Sequence, residues 1–179
     1  MYRIQWLFNW LNLTVILGIF STASALAQTC LTNIPATTPS SEFVELSDIQ
    51  IKHQRTGLVW LRCAIGQTWD GTNCTGDAQQ LTWQQALQLA HGYSVENIQG
   101  WRLPNIKELA TVTERQCVRP AINIDVFPDT PADDFWTSTP SVTDEQRAWV
   151  VAFFNSSNSI KDKDRFVFVR LVRTALAQE

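Results

Sequence analysis

The chain of 179 residues carries 14 Lys+Arg against 17 Asp+Glu, a formal charge of −3, and 45% of it is hydrophobic. That is enough apolar material for one buried core, and the negative balance argues against binding nucleic acid through net charge. With two histidines, no Gly-x-Ser-x-Gly and no Cys-x-x-Cys, the usual serine-hydrolase and zinc-finger arrangements are excluded.

The first residues read as a secretory leader. Arg3 gives a basic start, residues 11–20 an apolar run, and Ala25-Leu26-Ala27 a small-x-small cleavage site; Ser21, Thr22 and Ser24 stop the run before bilayer-spanning length. Cleavage is expected after Ala27, so residues 1–27 are a signal peptide. Ala27-Gln28-Thr29-Cys30 is a poor lipidation signal. Removing 27 residues from 179 leaves 152, and without Arg3 the balance becomes 13 against 17, a charge of −4. The expected location is the periplasm, the cell surface or the extracellular space, with no membrane span after cleavage. Residues 28–42, rich in Thr, Ser and Pro, read as an extended arm held only by Cys30, and residues 43–179 as one domain.

Residues 43–51 mix apolar and acidic positions and read as a first strand. Residues 57–62 follow as a second, with Leu58 and Trp60 on one face, Val59 and Leu61 on the other, and both faces covered. Thr82 and Gln85 form a capping-box pattern at the start of a helix whose stripe is Trp83, Ala86, Leu87 and Ala90, stopped by Gly92. Asn105 and Glu108 repeat the pattern, and a second helix is predicted from there to about Arg115. Residues 120–140, with four prolines, read as a long irregular loop packed by Ile122, Ile124, Val126 and Phe127, with a short strand at 135–138. Residues 148–154 and 166–174 close the chain as strands, joined by a polar hairpin tip at 155–165. The pattern is α+β, with two helices packed on a twisted antiparallel sheet and long irregular loops.

All four cysteines lie beyond the leader, and an even count in an oxidising compartment predicts two disulfides rather than a metal site. Three pairings are open. Cys63 with Cys74 is preferred because Asp70-Gly71 lets the loop between them double back, which leaves Cys30 with Cys117.

A family resemblance is carried by Trp101-Arg102-Leu103-Pro104-Asn105-Ile106-Lys107-Glu108-Leu109. Thr56-Gly57-Leu58-Val59-Trp60, Thr82-Trp83-Gln84-Gln85-Ala86-Leu87, Pro120-Ala121-Ile122-Asn123, Phe127-Pro128-Asp129-Thr130-Pro131, Phe135-Trp136-Thr137-Ser138-Thr139 and Val169-Arg170-Leu171-Val172-Arg173 extend it in register. The chain resembles the Lcl C-terminal domain family, named after the end domain of the Legionella collagen-like adhesin. The resemblance implies a C-type-lectin-like fold related to formylglycine-generating enzymes, and an adhesin-like role. One departure stands out. Where the family usually has a glycine- and aspartate-rich turn, this chain has Glu45-Leu46-Ser47-Asp48-Ile49.

Chemistry is sparse. His53 and His91 read as structural, and cysteines committed to bridges leave formylglycine-type chemistry without a thiol, so the expectation is a protein that is not an enzyme. Asp125, Asp129, Asp133 and Asp134 could offer oxygens to calcium, but the sugar-lectin tripeptides Glu-Pro-Asn, Gln-Pro-Asp and Trp-Asn-Asp are absent. A solvated acidic loop is preferred, with no metal and no cofactor. Trp60, Trp83, Trp101 and Trp149 read as core, whereas Trp69 and Trp136 lie in loop sequence as candidate contacts, Trp69 first. Asn155, Asn158, Lys161, Lys163 and Arg165 gather polar and cationic groups where a sulfate or carboxylate would need donors. The function expected is an exported binding module recognising a glycan, with sulfated glycosaminoglycan as the class the resemblance implies, or an envelope or host protein. A structural or assembly component of the envelope is the alternative, and a formylglycine-type enzyme the last.

Overall fold

The computed structural model describes residues 27–179, so the predicted leader lies outside the described residues apart from Ala27. In chain order the elements are β1 (Thr29–Cys30), a 3-10 turn (Ser40–Glu42), β2 (Phe43–Ser47), β3 (Gln50–His53), β4 (Leu58–Leu61), β5 (Thr68–Trp69), β6 (Cys74–Thr75) and β7 (Gln80–Leu81). Then come α1 (Trp83–Gly92), α2 (Ile106–Ala110), β8 (Cys117–Val118), β9 (Asp134–Pro140), β10 (Arg147–Ala152), β11 (Ser157–Asp162), β12 (Val167–Phe168) and β13 (Val172–Thr174). The α+β class stands. Among the described residues no helix is long and apolar enough to cross a membrane.

Two sheets replace the single one expected. One runs β11-β10-β9-β12-β7, antiparallel except where β12 meets β9; the other runs β13-β4-β3-β2. Two-stranded ribbons β1-β8 and β5-β6 complete the set. The division comes from residues 166–174, which read as one strand but enter one sheet as β12 and the other as β13. Between them Arg170 is fully buried, its Nη1 donating to the carbonyls of Leu61 at 2.7 Å and of Arg62, and its Nη2 to Thr130 Oγ1 at 2.7 Å. An arginine at this seam satisfies carbonyls and a hydroxyl that a continuous strand would not reach.

Neighbouring residues on β4, β9 and β10 enter opposite core clusters. Val59, Trp136 and Val150 join Trp101, Leu103 and Ala86, while Trp60, Phe135 and Val151 join Leu109, Phe127 and Phe153. Both faces of these strands are therefore covered, as the alternation in residues 57–62 predicts. Each fully buried large apolar side chain contributes roughly 1.5–3 kcal/mol.

Both capping boxes form. Thr82 and Gln85 start α1, and Asn105 and Glu108 start α2, where Glu108 also takes a bidentate pair from Arg102 at 2.7 Å. Arg102 in turn bridges Val172, with backbone bonds of 2.9 and 3.0 Å, so the segment Trp101 to Leu109 is sewn to β13. Helix α2 ends at Ala110, not near Arg115. The Thr111 and Thr113 hydroxyls donate to the carbonyls of Glu108 (2.6 Å) and Ala110 (2.9 Å), competing with helix continuation.

Glu114, beyond it, turns to the N-terminal arm. Its carboxylate accepts from the Thr37 and Thr38 amides at 2.9 Å and from both hydroxyls at 3.0 Å. The arm is thus held by far more than Cys30.

Several other expectations need correction. Residues 43–51 make two strands, with Asp48 and Ile49 as the turn and a register shift between Glu45 and Ser47 taking the place of glycine. Residues 155–165 are mostly the edge strand β11, which looks loop-like because it is polar along much of its length. Trp149 and Trp83 are half-buried rather than core, and Ile124 is 39% exposed.

Candidate functional site

Three turns converge on an apolar cavity of about 260 Å³, walled by Ile49, Leu61, Ile65, Trp69, Tyr93 and Val95. Trp69 arrives on the β5-β6 ribbon. The Cys63–Cys74 disulfide, with Cα atoms 5.5 Å apart, closes its base. Asp70 Oδ1 accepts from the amides of Thr72 (2.9 Å) and Asn73 (2.8 Å), shaping the tip and holding the Asp70 carboxyl below its usual range. The Arg62 guanidinium lies 4.4 Å from the indole centroid and is itself fixed by Glu45 at 2.7 Å, so the half-exposed ring is held in place.

Gly66 lines the floor in a left-handed conformation, φ 96°. A Cβ there would meet Asp77 O and Gln79 N at 2.6 Å, so only glycine fits.

The opposite wall follows α1. Tyr93 caps that helix and packs edge-on against Trp101, ring centroids 6.4 Å apart, and burial raises its pKa. Beyond it Val95 and Ile98 pair across a two-residue turn whose central residues, Glu96 and Asn97, both have positive φ (53° and 62°). Glu96 is not left free to strain outward, because its carboxylate accepts from Ser47 Oγ at 2.8 Å and from Gln50. The β2-β3 turn, which carries Ile49, closes the third side.

A family model described as the Lcl C-terminal domain matches residues 50–173. The chain belongs to the Lcl C-terminal domain family. No curated protein matches it. The matched span of this Lcl C-terminal domain contains every residue of the cavity wall except Ile49, and it leaves the arm and β2 outside.

Within the domain the sequence-predicted residues scatter. Trp69 lines the cavity. Trp136 is fully buried with its Nε1 donating to Leu81 O at 2.8 Å, so it offers no contact face; its loop-like surroundings concealed a central strand. Asn155 Oδ1 accepts from Ser157 N in the turn before β11, and Asn158 lies exposed on β11 opposite Val151. Lys161 pairs with Asp134 at 2.9 Å, and Lys163 donates to Glu145 O at 2.6 Å while lying 4.3 Å from the Trp83 ring. Arg165 lines a separate recess with Asp133 and Asp134. Lys161 and Lys163 are thus already engaged, which weakens the anion-binding reading of the segment.

Asp129 is likewise occupied, accepting from Cys74 N at 2.9 Å, and Asp133 accepts from Asp134 N at 2.7 Å. Asp125 lies exposed in another part of the long loop. Among the described residues no three His, Cys, Asp or Glu side chains gather as a metal-binding group. Both predicted disulfides are present, Cys63–Cys74 and Cys30–Cys117, and no cysteine is free. His53 is fully buried; burial lowers its pKa against the opposing pull of Glu42, 3.1 Å from Nε2.

Sequence reasoning passed over Ile65, Tyr93 and Val95. The available signal was weak: single apolar residues stranded in polar loop sequence, with no periodicity to give them a face.

Proposed function

We propose that this Lcl C-terminal domain is an exported, non-enzymatic binding module that receives a glycan ring between Trp69 and Tyr93. The observation that carries the reading is the pair of independently anchored aromatic side chains walling one small apolar cavity. An indole or phenol face suits the C–H side of a sugar, and polar groups at its edge supply hydrogen bonds. The volume of about 260 Å³ lies just below the roughly 300–1,000 Å³ of drug-sized sites, room for a terminal sugar rather than a long chain.

Non-enzymatic character is supported by the lining itself. Tyr93 is its one titratable side chain, because Cys63 is in a disulfide, and burial moves the phenol away from neutrality. No group there is poised to move a proton near pH 7. A C-type-lectin-like arrangement is part of the same proposal, supported by short helices on antiparallel sheets and a long loop region. The two disulfides and the adhesin-related family support export to the periplasm or cell surface.

The test is retention of purified protein on a glycan array, alone and as Trp69→Ala and Tyr93→Phe. Wild type should retain a defined set of glycans, W69A should lose at least about tenfold in affinity, consistent with a truncated aromatic contact, and Y93F should lose less. Absence of any retained glycan, or a W69A protein that binds as well as wild type, ends the reading.

A further inference from the structure

The thirteen cationic side chains of the described chain are nearly all spoken for, by carboxylates, carbonyls or aromatic rings. Among the described residues only Lys107, Arg115 and Arg165 have side chains with no hydrogen bond, ion pair or ring contact. Two of these three, Lys107 and Arg115, line the same open groove of about 610 Å³ together with Arg55. In a protein with an excess of acids, that concentration is the opposite of what composition alone would produce. Arg55 is partly matched by Glu42 at 3.3 Å. Glu114, next to Arg115 in the chain, has both oxygens engaged by the arm and by Gln116 N, so neither acid pairs with Lys107 or Arg115.

We propose that this groove, between the N-terminal arm, the β3-β4 turn and the end of α2, is a second binding site, and that it takes a sugar phosphomonoester. Two uncommitted cations match the charge of about −1.5 to −2 that a phosphomonoester carries at neutral pH, whereas a sulfate ester brings only one charge. Guanidinium and ammonium donors suit phosphate oxygens. The rest of the groove asks for hydroxyl donors on the ligand. Thr111 also lines it, and its hydroxyl spends its proton on the carbonyl of Glu108, leaving oxygen lone pairs as acceptors, while Thr113 beside it is buried. A ligand that joins an anion to hydroxyl groups answers both halves, and the volume exceeds what a phosphate alone would fill.

The site is distinct from the Trp69 cavity. Residues Arg55 and Thr56 follow the His53 end of the β3-β4 hairpin, while Ile49 and Leu61 stand at its Gln50 end. Three residue steps of strand separate His53 from Gln50, about 10 Å at ~3.4 Å per residue.

Calorimetric titration of the purified protein with glucose 6-phosphate at low salt tests the proposal. Lys107→Ala and Arg115→Ala should each weaken binding about tenfold, while Arg165→Ala, which removes the third uncommitted cation elsewhere, should leave it unchanged. Glucose 6-sulfate should bind about tenfold more weakly than the phosphate. Lys107→Gln and Arg115→Gln, with melting temperatures compared to wild type, keep the result readable if an alanine variant folds poorly. No binding, equal binding of sulfate and phosphate, or a loss in R165A equal to that in K107A would overturn it. So would recruitment to phosphatidylcholine vesicles containing phosphatidic acid without binding of the soluble ester, which would assign the groove to a membrane surface.

Discussion

Arg170 shows how one side chain can set the relation of two sheets. It is wholly buried, and burial pushes its guanidinium down to about 9, yet among the described residues no carboxylate lies within ion-pair reach. Its compensation comes from two carbonyls, one hydroxyl and the Phe127 ring, 5.0 Å away. Replacing it with alanine should cost about 3 kcal/mol or more in chemical denaturation, since the acceptors lose their donor and a void opens. Arg170→Met should cost less, because a buried charge without a counter-charge carries its own desolvation penalty, which an apolar chain of similar length removes.

Glu114 works in the other direction. Burial alone would raise its pKa, but donation from Thr37, Gln116 and Thr38 outweighs that and holds the carboxyl below its usual 4.5. A folded value below the unfolded one gives stability that is present above pH 4.5 and disappears as the pH falls through the folded value. The stability gap between wild type and Glu114→Gln, followed by thermal melts, should therefore be widest near neutrality and close progressively below pH 4.5.

At the scale of elements, short pieces are stabilised by cross-links rather than by length. Helix α2 has only 5 residues, too few to be stable alone, and it persists through its capping box, the Arg102 pair and the burial of Leu109. The β5-β6 ribbon has two residues per strand and depends on the Cys63–Cys74 bridge. Because the bridges span 11 and 87 residues, loop entropy assigns them about 3 and about 4.5 kcal/mol. Their functional consequences should be reversed. The C63A/C74A double variant should cost less stability yet lose glycan retention, since the ribbon carries Trp69. The C30A/C117A variant should cost more stability and retain the glycan, and the arm's bonds to Glu114 should soften that cost. Denaturation curves paired with array retention separate the two outcomes.

For the whole molecule, the architecture is a pair of sheets in which β4, β9 and β10 carry core on both faces. The β3-β4 hairpin runs between the aromatic cavity and the basic groove, so one rigid element positions both. Among the described residues six of the thirteen cations pair with carboxylates, as Lys161 does with Asp134 and Arg173 with Glu179, and two of the three uncommitted ones, Lys107 and Arg115, share the basic groove.

Local features were legible in the residues themselves. Thr82 with Gln85 and Asn105 with Glu108 announce their helices because a cap is a matter of hydrogen bonds within four residues. The bridges followed from compartment and spacing, and the two-sided burial of β4 from its run of apolar side chains. Tertiary structure alone decided that residues 166–174 divide between sheets, that Trp136 is interior, and that Arg55 joins Lys107 and Arg115. Those outcomes depend on partners as distant as the 109 positions between Arg170 and Leu61, and a contact between far-separated residues leaves no periodicity in either segment for a reader to find.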